Sequence, residues 1–134
     1  MNPLVFQTDF GLVDGAVSAM YGVAYSVESE LKIHDLTHDI TPFNIWEASY
    51  RLIQTINYWP EGTVFVSVVD PGVGSDRKSV VVKTNSGRYI VTLEQGLYQI
   101  TKFFKYGAVI PLGMLFLLTT NPSEFAASLN GIKV

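Results

Sequence analysis

Cysteine is absent from the 134 residues, so neither a disulfide frame nor a thiolate metal site is available to this chain. Histidine occurs twice, at His34 and His38. Positive charge is scarce: nine Lys and Arg stand against twelve Asp and Glu, for a net charge of −3. No basic stripe runs along the chain, which argues against nucleic acid as a partner, because DNA and RNA binding depends on a phosphate-neutralising surface. The GxxxxGK(S/T) phosphate loop, GxGxxG and GxSxG are all missing, so the common nucleotide-phosphate and acyl-transfer chemistries are disfavoured. The opening MNPLVFQTDF lacks the basic-then-apolar layout of a secretory signal, and a cytoplasmic protein is expected.

What is present is apolar and aromatic. Apolar residues make up 48% of the chain, with seven Tyr, eight Phe and two Trp, a composition that argues for extensive burial. A chain this long buries roughly 65–70% of the surface it exposes when unfolded, enough for one independent core. A single domain over residues 1–134 is the expectation.

The pattern along the chain alternates strand and helix. LVFQT (4–8) is a short apolar run bounded by Pro3 and a polar turn, the signature of a buried strand. From 15 to about 27, Val17, Met20, Tyr21, Ala24 and Tyr25 recur at spacings of three and four, a helical period with one apolar face. LKIHDL (31–36) reads as a second strand. Residues 44–58 place Ile45, Ala48, Leu52, Ile53 and Ile56 at helical spacing, with Asn44 as the cap. TVFVSVV (63–69) is an almost continuous β-branched and aromatic run after a Pro60-Glu61-Gly62 turn, suited to a central strand covered on both faces. KSVVVKT and RYIVT, separated by Asn85-Ser86-Gly87, predict a hairpin.

Strand, helix, strand, helix, strand implies an α/β three-layer sandwich with a mostly parallel sheet and right-handed crossovers. Ligands of such sheets sit at the carboxyl ends of the strands. Here those ends carry TDFGLVDG, THDITPFN and DPGVGSDR, three polar loops that can converge on one edge. Beyond residue 100 the pattern weakens. Residues 106–123 carry no charge, but the strongly apolar part is shorter than the roughly 20 residues that cross a bilayer, and Pro111 and Gly113 interrupt it. No membrane partner is expected.

The three loops hold the candidate chemistry. Asp70 stands where the TVFVSVV strand ends, and Arg77 can return to the mouth of the same loop, so the pair can orient and polarise a water or form a loop-stabilising ion pair. Asp9 and Asp14, acceptor-only when ionised, suit vicinal ribose hydroxyls or an ammonium group, or Asp9 sits at a helix N-terminus stabilised by the dipole. Phe43 can stack on a flat base or belong to the core. His34 and His38 are four apart, a spacing that brings two imidazoles within reach of one ion on a helix but sets them roughly 13 Å apart along a strand, so no metal is expected.

In this order, TDFGLVDG, IHDLTHDITPFNIWEASYRL and WPEGTVFVSVVDPGVGSDR closely resemble the S-adenosylmethionine (SAM) hydrolases, the hydroxide adenosyltransferases related to the SAM-dependent halogenases. The resemblance covers about residues 5–92. It implies attack of water on the ribose C5′ of SAM, giving adenosine and methionine with no metal or other cofactor. It further implies that Asp9 binds the ribose hydroxyls, Asp14 the methionine ammonium end, and Phe43 the nucleoside, while Asp70 and Arg77 are two of three water-activating residues. Related halogenases carry an aromatic residue where Asp70 stands, which favours water over halide. The family's shared sites lie between subunits, implying a homotrimer that binds a small-molecule nucleoside.

Three departures accompany the match. TLEQGL (92–97) stands where the family has a P-D-N-G-L-like segment. No histidine follows His38, so the third water-activating residue has no counterpart, although NPSEFAASLNG (121–131) is faintly similar to the helix that follows it in the family. The tail, 93–134, is divergent, and the family's C-terminal β domain is not represented. The sequence therefore predicts either a SAM hydrolase or a non-catalytic nucleoside-binding or structural remnant of that family.

Overall fold

The computed structural model describes residues 2–69, 79–93 and 106–111. Strands β1 (Leu4–Thr8), β2 (Ile33–Thr37), β3 (Val64–Val68), β4 (Ser79–Thr84), β5 (Tyr89–Leu93) and β6 (Tyr106–Pro111) alternate in the first half with helices α1 (Ala16–Val27) and α2 (Ile45–Thr55), the latter extended by a 3-10 turn over Ile56–Tyr58. The strands form one sheet in the order β2-β1-β3-β5-β4-β6. The pairs β1-β2, β1-β3 and β3-β5 are parallel, and β4 is antiparallel to β5 and β6. This is the expected α/β layer, with β3 near its middle.

Strand alternation sorts the side chains to two faces. On one face Val5, Phe65, Val82 and Ile90 form a buried cluster with Leu52 and Ile56, the apolar stripe of α2 and its 3-10 extension. On the other, Phe6 meets the Tyr21 ring edge-on at 5.5 Å, and Leu4, Phe6 and Val66 share an apolar hollow with Ala16, Met20 and Val23 of α1. Helix α2 starts as the sequence indicates: Asn44 Oδ1 accepts the Glu47 N–H at 3.0 Å, satisfying one of the orphan donors of the first turn.

Two readings change in detail. The run in β3 is not covered equally on both sides: Phe65 and Ser67 are buried, whereas Val64, Val66 and Val68 are half-buried. Tyr25, at helical spacing with the apolar face of α1, is exposed; its ring instead lies edge-on to Tyr21 at 6.5 Å. The hairpin forms between β4 and β5, with Gly87 at φ 79°, a conformation that glycine adopts without steric penalty. Among the described residues no helix is long and apolar enough to cross a membrane, and the start of the uncharged stretch is β6, paired to β4.

Candidate functional site at the carboxyl edge of the sheet

Because β1 runs parallel to both β2 and β3, the loops after these three strands leave the sheet on the same edge. The first two are tied together directly. Asp9 Oδ2 accepts the Phe43 backbone N–H at 2.7 Å, and the Gly11 N–H donates to the His38 carbonyl at 2.8 Å. The third loop begins at Val69, whose buried side chain packs with Ile40 of the second loop and Ala48 of α2. Asp70 and Arg77 lie outside the described residues.

Asp9 is not a helix cap. It reaches across to a chain position that is itself unusual, since Phe43 has φ 66°, a left-handed conformation that costs a side-chain-bearing residue on the order of 1 kcal/mol or more. Charge-assisted donation to a carboxylate is among the stronger hydrogen bonds and opposes that cost. The Asn44 N–H to Thr41 carbonyl bond, 3.0 Å, closes the same turn. Held this way, Phe43 is 56% exposed and is not part of the core. Asp14, at the far end of the TDFGLVDG loop, accepts the Ala16 N–H at 2.9 Å at the start of α1. With Leu12, Val17, Ser18, Tyr21 and Asp35 it lines a recess of about 390 Å³.

A hydrogen-bonded chain that the sequence did not disclose runs beneath these loops. The Phe10 N–H donates to Thr8 Oγ1 at 3.2 Å, Thr8 Oγ1 lies 2.8 Å from His38 Nδ1, and His38 Nε2 lies 2.7 Å from Asp35 Oδ1. The Tyr21 hydroxyl donates to the same Asp35 oxygen at 2.6 Å. An ionised Asp35 can only accept, so Nε2 carries the N–H that donates to it; in that neutral tautomer Nδ1 accepts the Thr8 hydroxyl proton, while Thr8 Oγ1 accepts from Phe10. Thr8 and His38 are buried, whereas the Asp35 side chain is 46% exposed. His34 takes no part; its ring packs 5.2 Å from that of Trp59.

Burial, the hydrogen bond to Asp35, the Asp35 charge and the neighbouring Tyr25 push the Tyr21 hydroxyl up to about 12. On Asp35 burial acts upward, but the hydrogen bonds from Tyr21 and His38 and the nearby imidazoles outweigh it and hold the carboxyl below its usual value. The signs follow by linkage. Tyr21 keeps its proton to higher pH when folded, so its contribution to stability is whole below about pH 10 and is lost as pH rises through about 12. The Asp35 contribution is present above the ordinary carboxylate range and lost as pH falls below it. Phenolate absorbance should therefore show one of the seven tyrosines titrating near pH 12, and Tyr21→Phe should remove that step. Persistence of the step in the variant would assign it elsewhere.

Gln7 is a second support beneath the loops. Its buried side chain donates to the Ala48 carbonyl at 3.0 Å and to Ser67 Oγ at 2.9 Å, fixing β1, β3 and α2 to one another just below the site. The available signals were a threonine closing an apolar strand, a glutamine inside it and a histidine one residue past the parallel neighbour.

Residues 4–108 match the family described as the SAM hydroxide adenosyltransferase N-terminal domain. The chain belongs to that family. It is similar to the (R)-S-adenosyl-L-methionine hydrolase of Methanocaldococcus jannaschii, with 42% identity over 102 residues, 73% of this chain and 38% of the relative. It is also similar to the fluorinase of Actinopolyspora mzabensis, at 29% over 80 residues, 60% of this chain and 27% of the relative. Among solved structures, a conserved protein from Thermotoga maritima superposes with a TM-score of 0.75 at 32% identity, covering 81% of this chain and 42% of that one. The chain spans less than half the length of each of these proteins.

Proposed function

We propose that this chain is the nucleoside-binding part of a SAM-hydrolysing protein. The carrying observation is the meeting of the first two loops, where Asp9 grips the Phe43 backbone N–H and brings an acceptor for ribose hydroxyls beside an exposed ring suited to a nucleoside. The similarity to proteins named SAM hydrolases supports the choice of substrate. In this reading Asp14 takes the ammonium end of the methionine portion.

Asp70 and Arg77 orient the water. Its oxygen attacks C5′, the C5′–S bond breaks with its electron pair passing to sulfur, and the water proton leaves through Asp70 to solvent. Methionine departs as a neutral thioether and needs no proton. Arg77 stabilises hydroxide character in the nucleophile, and the surrounding carboxylates favour the sulfonium cation of the ground state, so orientation of the water and not binding alone must supply the rate. No metal or further cofactor enters the scheme. The working assembly in this reading is a homotrimer acting in the cytoplasm. Incubating the chain with SAM and separating the products by chromatography, beside adenosine calorimetry, tests it: equal amounts of adenosine and methionine are expected, and a chain that neither forms nor binds adenosine would overturn the assignment.

A further inference from the structure

We propose that His38 is a positioning residue, holding the Asp9 loop in the geometry that receives the nucleoside; this rests on the reading of Asp9 as the ribose-binding carboxylate. His38 grips the loop from both sides. Its main-chain carbonyl accepts the Gly11 N–H at 2.8 Å, after Asp9, while its imidazole meets Thr8 at 2.8 Å, before Asp9. Thr8 Oγ1 in turn accepts the Phe10 N–H, so the turn around Asp9 is fixed at residues 8, 10 and 11 through one histidine.

The other end of the imidazole carries the same restraint to α1. His38 Nε2 meets Asp35 at 2.7 Å, and Asp35 receives the Tyr21 hydroxyl at 2.6 Å. Tyr21 belongs to the helix whose first turn is bound by Asp14. The two carboxylates assigned to the two ends of the ligand thus stand at the two ends of one loop, and His38 links the supports of both. Burial of Thr8 and of the imidazole keeps water from substituting at the Thr8 contact, so loss of that bond leaves a buried partner unsatisfied.

The two ring nitrogens can be tested separately. Asparagine places its amide near the position of Nδ1 and keeps the Thr8 contact; glutamine reaches toward the position of Nε2 and keeps the Asp35 contact. The direct readout is hydrogen exchange at the Phe43 amide, which is bound by Asp9 and reports local opening of the loop. His38→Gln should speed that exchange by about tenfold relative to amides of β3, and His38→Asn should restore it. Adenosine affinity, measured by calorimetry, should follow the same order.

Thr8→Val, which also removes the acceptor of the Phe10 N–H, should speed exchange at least as much as His38→Gln, and Thr8→Ser should behave as the unsubstituted chain, which keeps the comparison available if a histidine variant fails to fold. Equal Phe43 exchange in the asparagine and glutamine variants, or in Thr8→Val and Thr8→Ser, would overturn the positioning role. An unsubstituted chain that binds no adenosine would instead overturn the nucleoside reading, and the exchange order would still decide the role of His38.

Discussion

Asp70→Ala is expected to lower adenosine formation from SAM by about a thousandfold, the middle of the range for loss of a group that positions or accepts a proton in the reacting complex. Adenosine affinity should change by less than about threefold, because the groups assigned to the nucleoside, Asp9 and Phe43, belong to the other two loops. That split separates an interaction made with the attacking water from one made with bound ligand. Arg77→Gln should also slow turnover, since it removes the cation that favours hydroxide in the nucleophile. Product formation by liquid chromatography, with adenosine calorimetry on the same preparations, decides the matter. Undiminished turnover in Asp70→Ala would remove Asp70 from the mechanism; a parallel loss of turnover and affinity would make the residue a support of the nucleoside pocket.

The elements were legible where a local rule dominates. LVFQT is an apolar run with a proline before it and a polar turn after it, and it became β1 over the same residues. Asn44 precedes a helical stripe, and it caps α2. The parallel order was legible too, because strands separated by amphipathic helices have few ways to pair. The loop motifs marked the first two polar segments, which meet at the carboxyl edge, but not what binds them to one another. The link from Thr8 to His38 to Asp35 to Tyr21 joins residues of three elements and one loop; Asp35 and His38 stand three apart, but at the end of a strand and not on a helix, and the other two links cross between elements, where no spacing reveals them. The His34 and His38 pair shows the difficulty. Four residues apart, they invite comparison with a metal pair, yet one packs on Trp59 and the other is buried against Thr8, because His38 lies just past the end of β2.

The left-handed turn at Phe43 was hidden for a related reason. An aromatic after proline carries no local preference for positive φ, and the Asp9 carboxylate that holds its N–H stands 34 positions earlier. The site thus departs from local rules at the place where two distant loops are joined, as expected where function and propensity compete. The same joining explains why α1 can leave much of its surface exposed: Tyr21 and Phe6 fix it to β1, while Asp14 and Asp35 act at its edge facing the recess.

The site needs a rigid sheet beneath it, and the largest stability loss is expected at Phe65. Its side chain is 1% exposed in a cluster with Val5, Leu52, Ile56, Val82 and Ile90, and the Trp59 ring stands edge-on to it at 6.2 Å. These neighbours come from β1, α2, the 3-10 turn, β4 and β5, so a cavity at Phe65 loosens the packing of α2 and its 3-10 turn on this face of the sheet. Phe65→Ala should cost about 3–5 kcal/mol, a large share of the roughly 5–15 kcal/mol by which domains of this size are stable. In calorimetry the melting temperature should fall by more than about 10 °C. Tyr58→Ala, at a ring 90% exposed on the same stretch of chain, should stay within about 0.5 kcal/mol. Phe65→Leu should fall between them, because a branched aliphatic side chain fills part of the space and leaves a smaller void. A melting temperature for Phe65→Ala close to that of Tyr58→Ala would show that α2 and the sheet are not held together by this cluster, and the support of the Asp9 and Phe43 loops would then have to come from elsewhere.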